Sequence, residues 1–421
     1  MATQVNPPRG MRDFLPGDKA RRERVLGVIR STYTAHGFDE IETPVMEDSA
    51  RLHAGLGGDN EKLAFGVLKR GLTADDFAAA SEALDLADLG LRFDLTVPLA
   101  RFYASHHGEL PSVFRAIQIA PVWRAERPQK GRYRQFVQCD IDIIGEPGAL
   151  AEIELLTATT DTLRALGLNG CSIRINDRRL LTSMLTVLGF PAGEHPAVLI
   201  TIDKLDKLGS HGVVAELRDR AFPNGPVDAL EEFLLTPSAP PQPFSEALIR
   251  ASLPEGVDET AVLELAALGS ALDDSSLLQF DPFLVRGMGY YTGTIFEVAH
   301  PELGYSLGGG GRYDGMIGRF LGTEVPAVGM SLGFERLVDL VTLPTDAAAD
   351  AVALIHDGAS PAVLATLKSA LIAGGTRVRL EKKPRKLPAL LDSLAASGFS
   401  RFAIVGADVT SVDDLEFRPL A

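Results

Sequence analysis

Residues Phe114 to Gly145 read FRAIQIAPVWRAERPQKGRYRQFVQCDIDIIG, two strand-like runs joined by a cation-rich loop. Between Arg124 and Phe136, five basic residues (Arg124, Arg127, Lys130, Arg132 and Arg134) stand against one acid, Glu126, so this tip carries +4. The whole chain, with 41 basic and 56 acidic side chains, carries −15. An acidic protein that gathers cations in one loop offers a site for polyphosphate or nucleic acid, because guanidinium forks take phosphate oxygens two at a time. Period-two alternation puts Gln118, Ala120, Val122, Arg124 and Glu126 on one face of the first run. It puts Phe136, Gln138, Asp140 and Asp142 on one face of the second. The intervening loop, with Gly131, predicts an antiparallel hairpin. If the polar faces coincide, a cation, an amide and carboxylates meet beside an aromatic ring. The alternative is a solvated hairpin whose charges guard an edge against aggregation.

The segment RAERPQKGRYRQFVQCDIDIIG resembles motif 2 of the histidyl-tRNA synthetases, class II aminoacyl-tRNA synthetases whose ATP lies on an antiparallel sheet. RGMRDFLP (Arg9 to Pro16) resembles that family's N-terminal signature, and GFDEIETPVME (Gly37 to Glu47) resembles motif 1, with Pro44 in place. LRFDLT (Leu91 to Thr96), LVRGMGYYTGTIFEV (Leu284 to Val298) and GGGGRYDG (Gly308 to Gly315) resemble its amino-acid-binding segments. VGMSLGFERL (Val328 to Leu337) resembles motif 3. The segments occur in family order over nearly the whole chain.

The resemblance implies activation of L-histidine by ATP, with Mg2+ accompanying the nucleotide, then transfer to the 3′-terminal adenosine of histidine tRNA. Displacement at phosphorus needs positioning and charge stabilisation rather than a protein nucleophile, so arginines carry it. By resemblance, Arg124 holds the α-phosphate and the amino-acid carboxylate, and Arg286 is the fixed cation opposite the reacting phosphate. Arg336 and Arg132 take the γ-phosphate, Glu126 the adenine amino group, and Phe136 the face of the base. A neutral imidazole presents one donor and one acceptor, which suits a carboxylate and a phenol; the matching positions are Asp142 and Tyr291. Asp94, Thr96 and Gln138 match the ammonium-binding residues, and Tyr313 is a further lining residue. Tyr290 is expected to be a core residue on the other strand face. Gln129 and Arg134 are candidates for the tRNA acceptor end. The glycine run lacks the third glycine of a dinucleotide fingerprint and reads instead as backbone close to a ligand. Gly289 stands where the family commonly has an acidic residue, a departure expected to alter affinity while activity is retained.

The expected fold is an α+β catalytic domain with a mainly antiparallel class II synthetase sheet, an inserted helical domain and a C-terminal α/β anticodon-binding-like domain. Residues 1–177 and 277–343 form the core and 178–276 the insertion, a stretch with no legible chemistry. Residues 349–421 alternate strand with helix, ending at LEFRPLA where the family would add a final helix, and carry a second basic cluster from Arg377 to Lys386. Helices are expected over Ala20 to His36, Glu152 to Leu166 and Gly333 to Leu343, and β structure over Phe283 to Val298. Two cysteines, Cys139 and Cys171, argue against a disulfide framework or a zinc site and for a cytoplasmic protein. No apolar run is long enough for a membrane span and no secretory signal opens the chain. A homodimer through the Pro44 region is expected by resemblance alone. The rival classes are a synthetase-like regulatory subunit of ATP phosphoribosyltransferase, and a non-enzymatic RNA-binding module that would leave Asp94, Asp142 and Tyr291 without a role.

Overall fold

The structure, a computed structural model, describes residues 5–53, 63–129, 131–236, 243–272, 274–286, 289–343 and 350–420. Lys130, Gly287, Met288, most of the Pro-rich break from Thr236 to Phe244, and the 344–349 linker with the expected domain start at 349 lie outside those residues. Residues 1–12 with 27–341 group into one unit, and residues 13–26 with 342–421 into a second.

The strands of the first unit are β1 (Asp39–Glu40), β2 (Met46–Asp48), β3 (Phe65–Leu68), β4 (Ala87–Leu91), β5 (Phe114–Trp123), β6 (Gln135–Ile144), β7 (Ser172–Asp177), β8 (Leu278–Phe280), β9 (Thr294–Ala299), β10 (Gly308–Arg312) and β11 (Ala327–Gly333). Among the described residues eight of them form one sheet, in the order β1-β5-β6-β11-β10-β9-β7-β8, and β2-β4-β3 form a small satellite sheet. Every pairing from β5 to β7 across the large sheet is antiparallel; only the short edge strands β1 and β8 run parallel to their neighbours.

The hairpin of β5 and β6 places Gln118 opposite Asp140, Ala120 opposite Gln138 and Val122 opposite Phe136, so the two polar faces coincide. Gly131, at φ +74°, turns the loop between them. Arg92 locks the motif 1 segment to this hairpin by donating to the carbonyl oxygens of Thr43 (2.8 Å), Pro44 (3.2 Å) and Pro121 (2.9 Å). A buried arginine so enclosed by carbonyls is structural.

Residues 178–276 are mostly helical where described and contain no strand among the described residues, with helices at Arg178–Val187, His195–Ile202, Leu205–Asp219, Asn224–Leu235, Glu246–Ala251 and Glu259–Ala271 joined by turns. Two of these begin on carboxylate caps, Asp177 accepting from the Arg179 N–H and Asp258 from the Ala261 N–H. In the second unit β12 (Ala351–His356) lies between β13 (Arg377–Lys382) and β14 (Arg401–Val405), parallel to both, and β15 (Arg418–Pro419) closes the edge antiparallel. The unbroken run AVALI follows from burial on both faces: Val352 and Leu354 pack with Leu364 and Leu367, while Ala351, Ala353 and Ile355 pack with Leu394 and Phe399.

Two expected elements are shorter than their sequence patterns. The helix of motif 3 covers only Phe334–Leu337, after which Val338 to Leu340 are turn and 341–343 irregular backbone. The β structure expected from Phe283 begins at Thr294, and the described residues between are turn and irregular backbone.

The close approach of β10 to β11 depends on glycine. A Cβ on Gly310 would lie 1.9 Å from the Gly329 carbonyl oxygen, so Gly310→Ala should lower the urea midpoint of the first unit by the equivalent of about 1–3 kcal/mol. An unchanged midpoint would show that the two strands can separate without cost.

Candidate active site

Because the sheet is in register, its residues form transverse rows. One row runs Gln118, Asp140, Ser331, Gly309, Glu297, Arg174 across β5, β6, β11, β10, β9 and β7. The next equivalent row runs Ala116, Asp142, Gly329, Gly311, Ile295, Asn176. Side chains two residues apart share a face, so Gln138, Asp140 and Asp142 project together over a floor of glycines. Above that floor is a cavity of about 510 Å³.

The floor has no side chains because ligand-facing groups occupy their places. A Cβ on Gly309 would meet the Arg286 guanidinium carbon at 2.4 Å, and one on Gly329 would meet Asp142 Oδ1 at 1.9 Å. Arg286 is pinned by Glu297, whose Oε2 accepts from Nη1 at 2.8 Å. Arg124 donates from Nε to the Phe93 carbonyl at 2.9 Å, and its guanidinium lies 5.0 Å over the Phe136 ring. Arg336 donates to the carbonyls of Gly131 (3.2 Å) and Ser306 (2.5 Å) and stands 4.9 Å over Tyr305. Burial holds Arg336 below the usual guanidinium value, and the charges of Arg132, Arg124 and Arg286 add to that. Four mutually repelling cations at one end of a cavity are an arrangement for a polyanion.

The other end is acidic. Burial raises Asp94 to about 6, partly opposed by the Val97 N–H that donates to its Oδ1 at 3.2 Å and by Arg124. Its Oδ2 is buried without a hydrogen-bond partner among the described residues. Such a group carries a desolvation cost that a cationic ligand would relieve. Asp142 is raised to about 7, again by burial, while the Tyr313 hydroxyl donates to it at 2.5 Å and moderates the shift. Asp140 is raised well above the carboxylate range by burial and by Asp142, and Gln138 Nε2 donates to Ser331 at 2.9 Å beside it. An anion-binding end facing a carboxylate end suits a zwitterionic amino acid beside a nucleotide.

The cavity is lined by Asp94, Thr96, Arg124, Glu126, Arg132, Phe136, Gln138, Asp142, Arg286, Tyr291, Tyr313 and Arg336. Gln129 is exposed, and Arg134 sits beside the cavity with its Nε donating to the Glu126 carbonyl at 3.0 Å. One expectation is corrected in part: Tyr290 is buried as a core residue should be, but not on the opposite face, since it lines the cavity beside Tyr291, with ring centroids 4.8 Å apart, and meets Tyr313 edge-on at 6.0 Å. The pair sits in a turn rather than a strand, so alternation does not separate the two faces. The sequence also gave no sign of Asp203, Asp206 and Lys207, which reach the cavity from the helical stretch. Glu335, the second residue of the motif 3 helix, pairs with Arg12 and accepts from the Val137 N–H at 3.4 Å.

A mainly antiparallel sheet carrying a basic hairpin loop, an arginine cage and a glycine floor is the catalytic core of a class II aminoacyl-tRNA synthetase. The profile described as histidyl-tRNA synthetase matches residues 10–337. The chain belongs to that family. A histidine–tRNA ligase of Leifsonia xyli subsp. xyli is 60% identical over an alignment spanning 100% of this chain and 99% of the relative. The histidyl-tRNA synthetase structure from Nostoc sp. PCC 7120 is 25% identical, with a TM-score of 0.73 over 96% of this chain and 92% of that one. A Bacillus halodurans structure titled as an ATP phosphoribosyltransferase regulatory subunit/histidyl-tRNA synthetase shares the fold, with a TM-score of 0.75 at 21% identity over 96% of this chain and 99% of that one.

Asp94 has a folded-state pKa above its unfolded value, so its ionisation opposes folding, fully above about pH 6 and not at all below the unfolded pKa near 4. Asp94→Asn should therefore stabilise the free protein at pH 8 by roughly 1–3 kcal/mol, lose that advantage near pH 4, and abolish measurable histidine binding. Calorimetric unfolding at the two pH values with a binding titration checks this; a variant no more stable at pH 8 contradicts it.

Proposed function

We propose that this chain is a histidine–tRNA ligase, which forms histidyl-adenylate and pyrophosphate from L-histidine and ATP and then esterifies the 3′-terminal adenosine of histidine tRNA. The observation that carries this reading is the polarity of the cavity, an arginine cage at one end and, at the other, tyrosines and a buried carboxylate with one oxygen, Asp94 Oδ2, lacking a hydrogen-bond partner among the described residues. In the first step a carboxylate oxygen of histidine attacks the α-phosphorus, the bond to the β-phosphate oxygen breaks, and pyrophosphate leaves. Arg124 and Arg286 stabilise the charge on the reacting phosphoryl group, while Arg336 and Arg132 hold the outer phosphates. Mg2+ enters with ATP as part of the substrate. Glu126 accepts from the adenine amino group and Phe136 stacks on the base. Asp94, Thr96 and Gln138 take the ammonium group; Asp142, oriented by Tyr313, and Tyr291 read the two imidazole nitrogens. In the second step the adenosine hydroxyl attacks the acyl carbon and AMP leaves.

Several finer points belong to the same proposal. The sheet-bearing core comprises 1–177 and 277–343, the helical insertion 178–276, and the anticodon-binding part 349–421. Two copies join through the segment around Pro44, a reading supported by the exposure of Val45 beside the small sheet and of Met46, Leu68 and Leu89 on it. Gln129 and Arg134 meet the tRNA acceptor end, where an amide suits a base edge and an arginine a phosphate. The protein works in the cytoplasm; no helix among the described residues is long and apolar enough to cross a membrane. The Glu297 carboxylate on Arg286 supports retained activity despite Gly289. The regulatory-subunit reading is weaker, since Arg124, Arg286 and Arg336 all line one cavity.

ATP–pyrophosphate exchange across the twenty amino acids tests the activity, with histidine expected alone, since a site that hydrogen-bonds a substrate's polar atoms rejects analogues lacking them by about 10⁴-fold. Equal exchange with glutamine or phenylalanine would sink the pocket assignment. Arg286→Ala should slow exchange by roughly 10²-fold with histidine binding little changed. Arg134→Ala should impair aminoacylation more than exchange; equal losses would assign its charge to ATP instead.

A further inference from the structure

Arg174 lies outside every motif of the sequence, yet it stands in the transverse row that carries Glu297 and Gly309. It donates from Nε to Asp281 Oδ2 at 2.6 Å, and from Nη1 to Asp206 Oδ2 at 2.9 Å and Glu297 Oε1 at 3.0 Å. The other Glu297 oxygen, Oε2, holds Nη1 of Arg286 at 2.8 Å. One carboxylate thus bridges two guanidinium groups, an oxygen to each. We propose that Arg174 is a positioning residue for Arg286, acting through Glu297. The inference rests on the activation chemistry proposed above.

The physical reason lies in how carboxylates bind arginine. A free glutamate beside a guanidinium takes it with both oxygens, the fork-to-fork geometry that is strongest for the pair. That grip would commit two nitrogens of Arg286 to Glu297 and draw the guanidinium off the glycine floor. With Arg174 occupying Oε1, Glu297 reaches Arg286 through one oxygen only, and the rest of the guanidinium stays available to a phosphate. Gly309 completes the device, because any side chain there would collide with Arg286. Asp206 adds a tie to the helix Leu205–Asp219, which makes the setting of Arg286 depend on the seating of the helical stretch. A shift of about 1 Å in a catalytic group is worth roughly 10²-fold in rate.

The test is a double-mutant cycle in ATP–pyrophosphate exchange, with histidine binding measured by calorimetry and folding by circular dichroism. Arg174→Ala is expected to lower kcat between 10- and 100-fold with histidine affinity within about threefold, and Arg174→Lys, which can still occupy Oε1, to recover most of the loss. In a Glu297→Gln background, which cannot grip Arg286 as an anion, adding Arg174→Ala should cost less than about twofold more. If Arg174→Ala does not fold, Arg174→Gln carries the cycle, since it keeps a donor for the strand neighbours without the charge. An unchanged kcat, or the same fold-loss in both backgrounds, would overturn the proposal. Should the wild-type protein show no histidine-dependent exchange, the activity reading falls first; failure of the cycle in an active enzyme falls on Arg174 alone.

Discussion

The site depends on strand register across β5, β6, β11, β10, β9 and β7, with glycines where two functional groups would otherwise compete for one volume. Antiparallel pairing fixes which residues stand side by side, and a slip of one position would turn every row to the opposite face. Gly309 and Gly329 then leave the space above the sheet to Arg286 and to Asp142 with Tyr313. Side chains from several separate segments reach one cavity because the backbone beneath them is paired and bare. The lost packing of bare glycine strands is offset by buried neighbours on the far face, such as Phe296, Ile117 and Ile141.

Burial on this scale makes the carboxylates costly. Asp94, Asp140 and Asp142 stand within one enclosed space, and their raised pKa values record how poorly it tolerates negative charge without a counterion. On the proposed chemistry, a site for an ammonium group and an imidazole is built with groups that the empty protein would be more stable without. Strain of this sort is the familiar trade between stability and function.

The parts of the fold that were legible in the sequence were those with local patterns. The β5–β6 hairpin announces itself through alternation and a charged tip, and β12 through an unbroken apolar run. The extent of the motif 3 helix was misread because apolar spacing continues past Leu337 although the backbone does not. Tyr290 departs from its expected face for a related reason: alternation does not run across Phe283 to Gly293, where the described chain is turn and irregular backbone and both tyrosines line the cavity. Asp203, Asp206 and Lys207 were invisible because nothing local marks a helical surface that approaches a cavity formed by residues a hundred positions away. Arg174 was hidden likewise, since its partners at 206, 281 and 297 are neighbours only in the folded sheet.

The tethering of Arg336 has a consequence for the end of the reaction as well as its start. Arg312, by comparison, is matched by both oxygens of Glu152, at 2.6 Å each, and its charge is neutralised on the spot. Arg336 is fixed by carbonyl oxygens and an aromatic face, which hold it in place without cancelling its charge. On the proposed chemistry, a rigid and uncancelled cation attracts the departing pyrophosphate as strongly as it attracted the outer phosphates of ATP. Residence of the product, rather than bond cleavage, then becomes the step that competing anions and ionic strength govern.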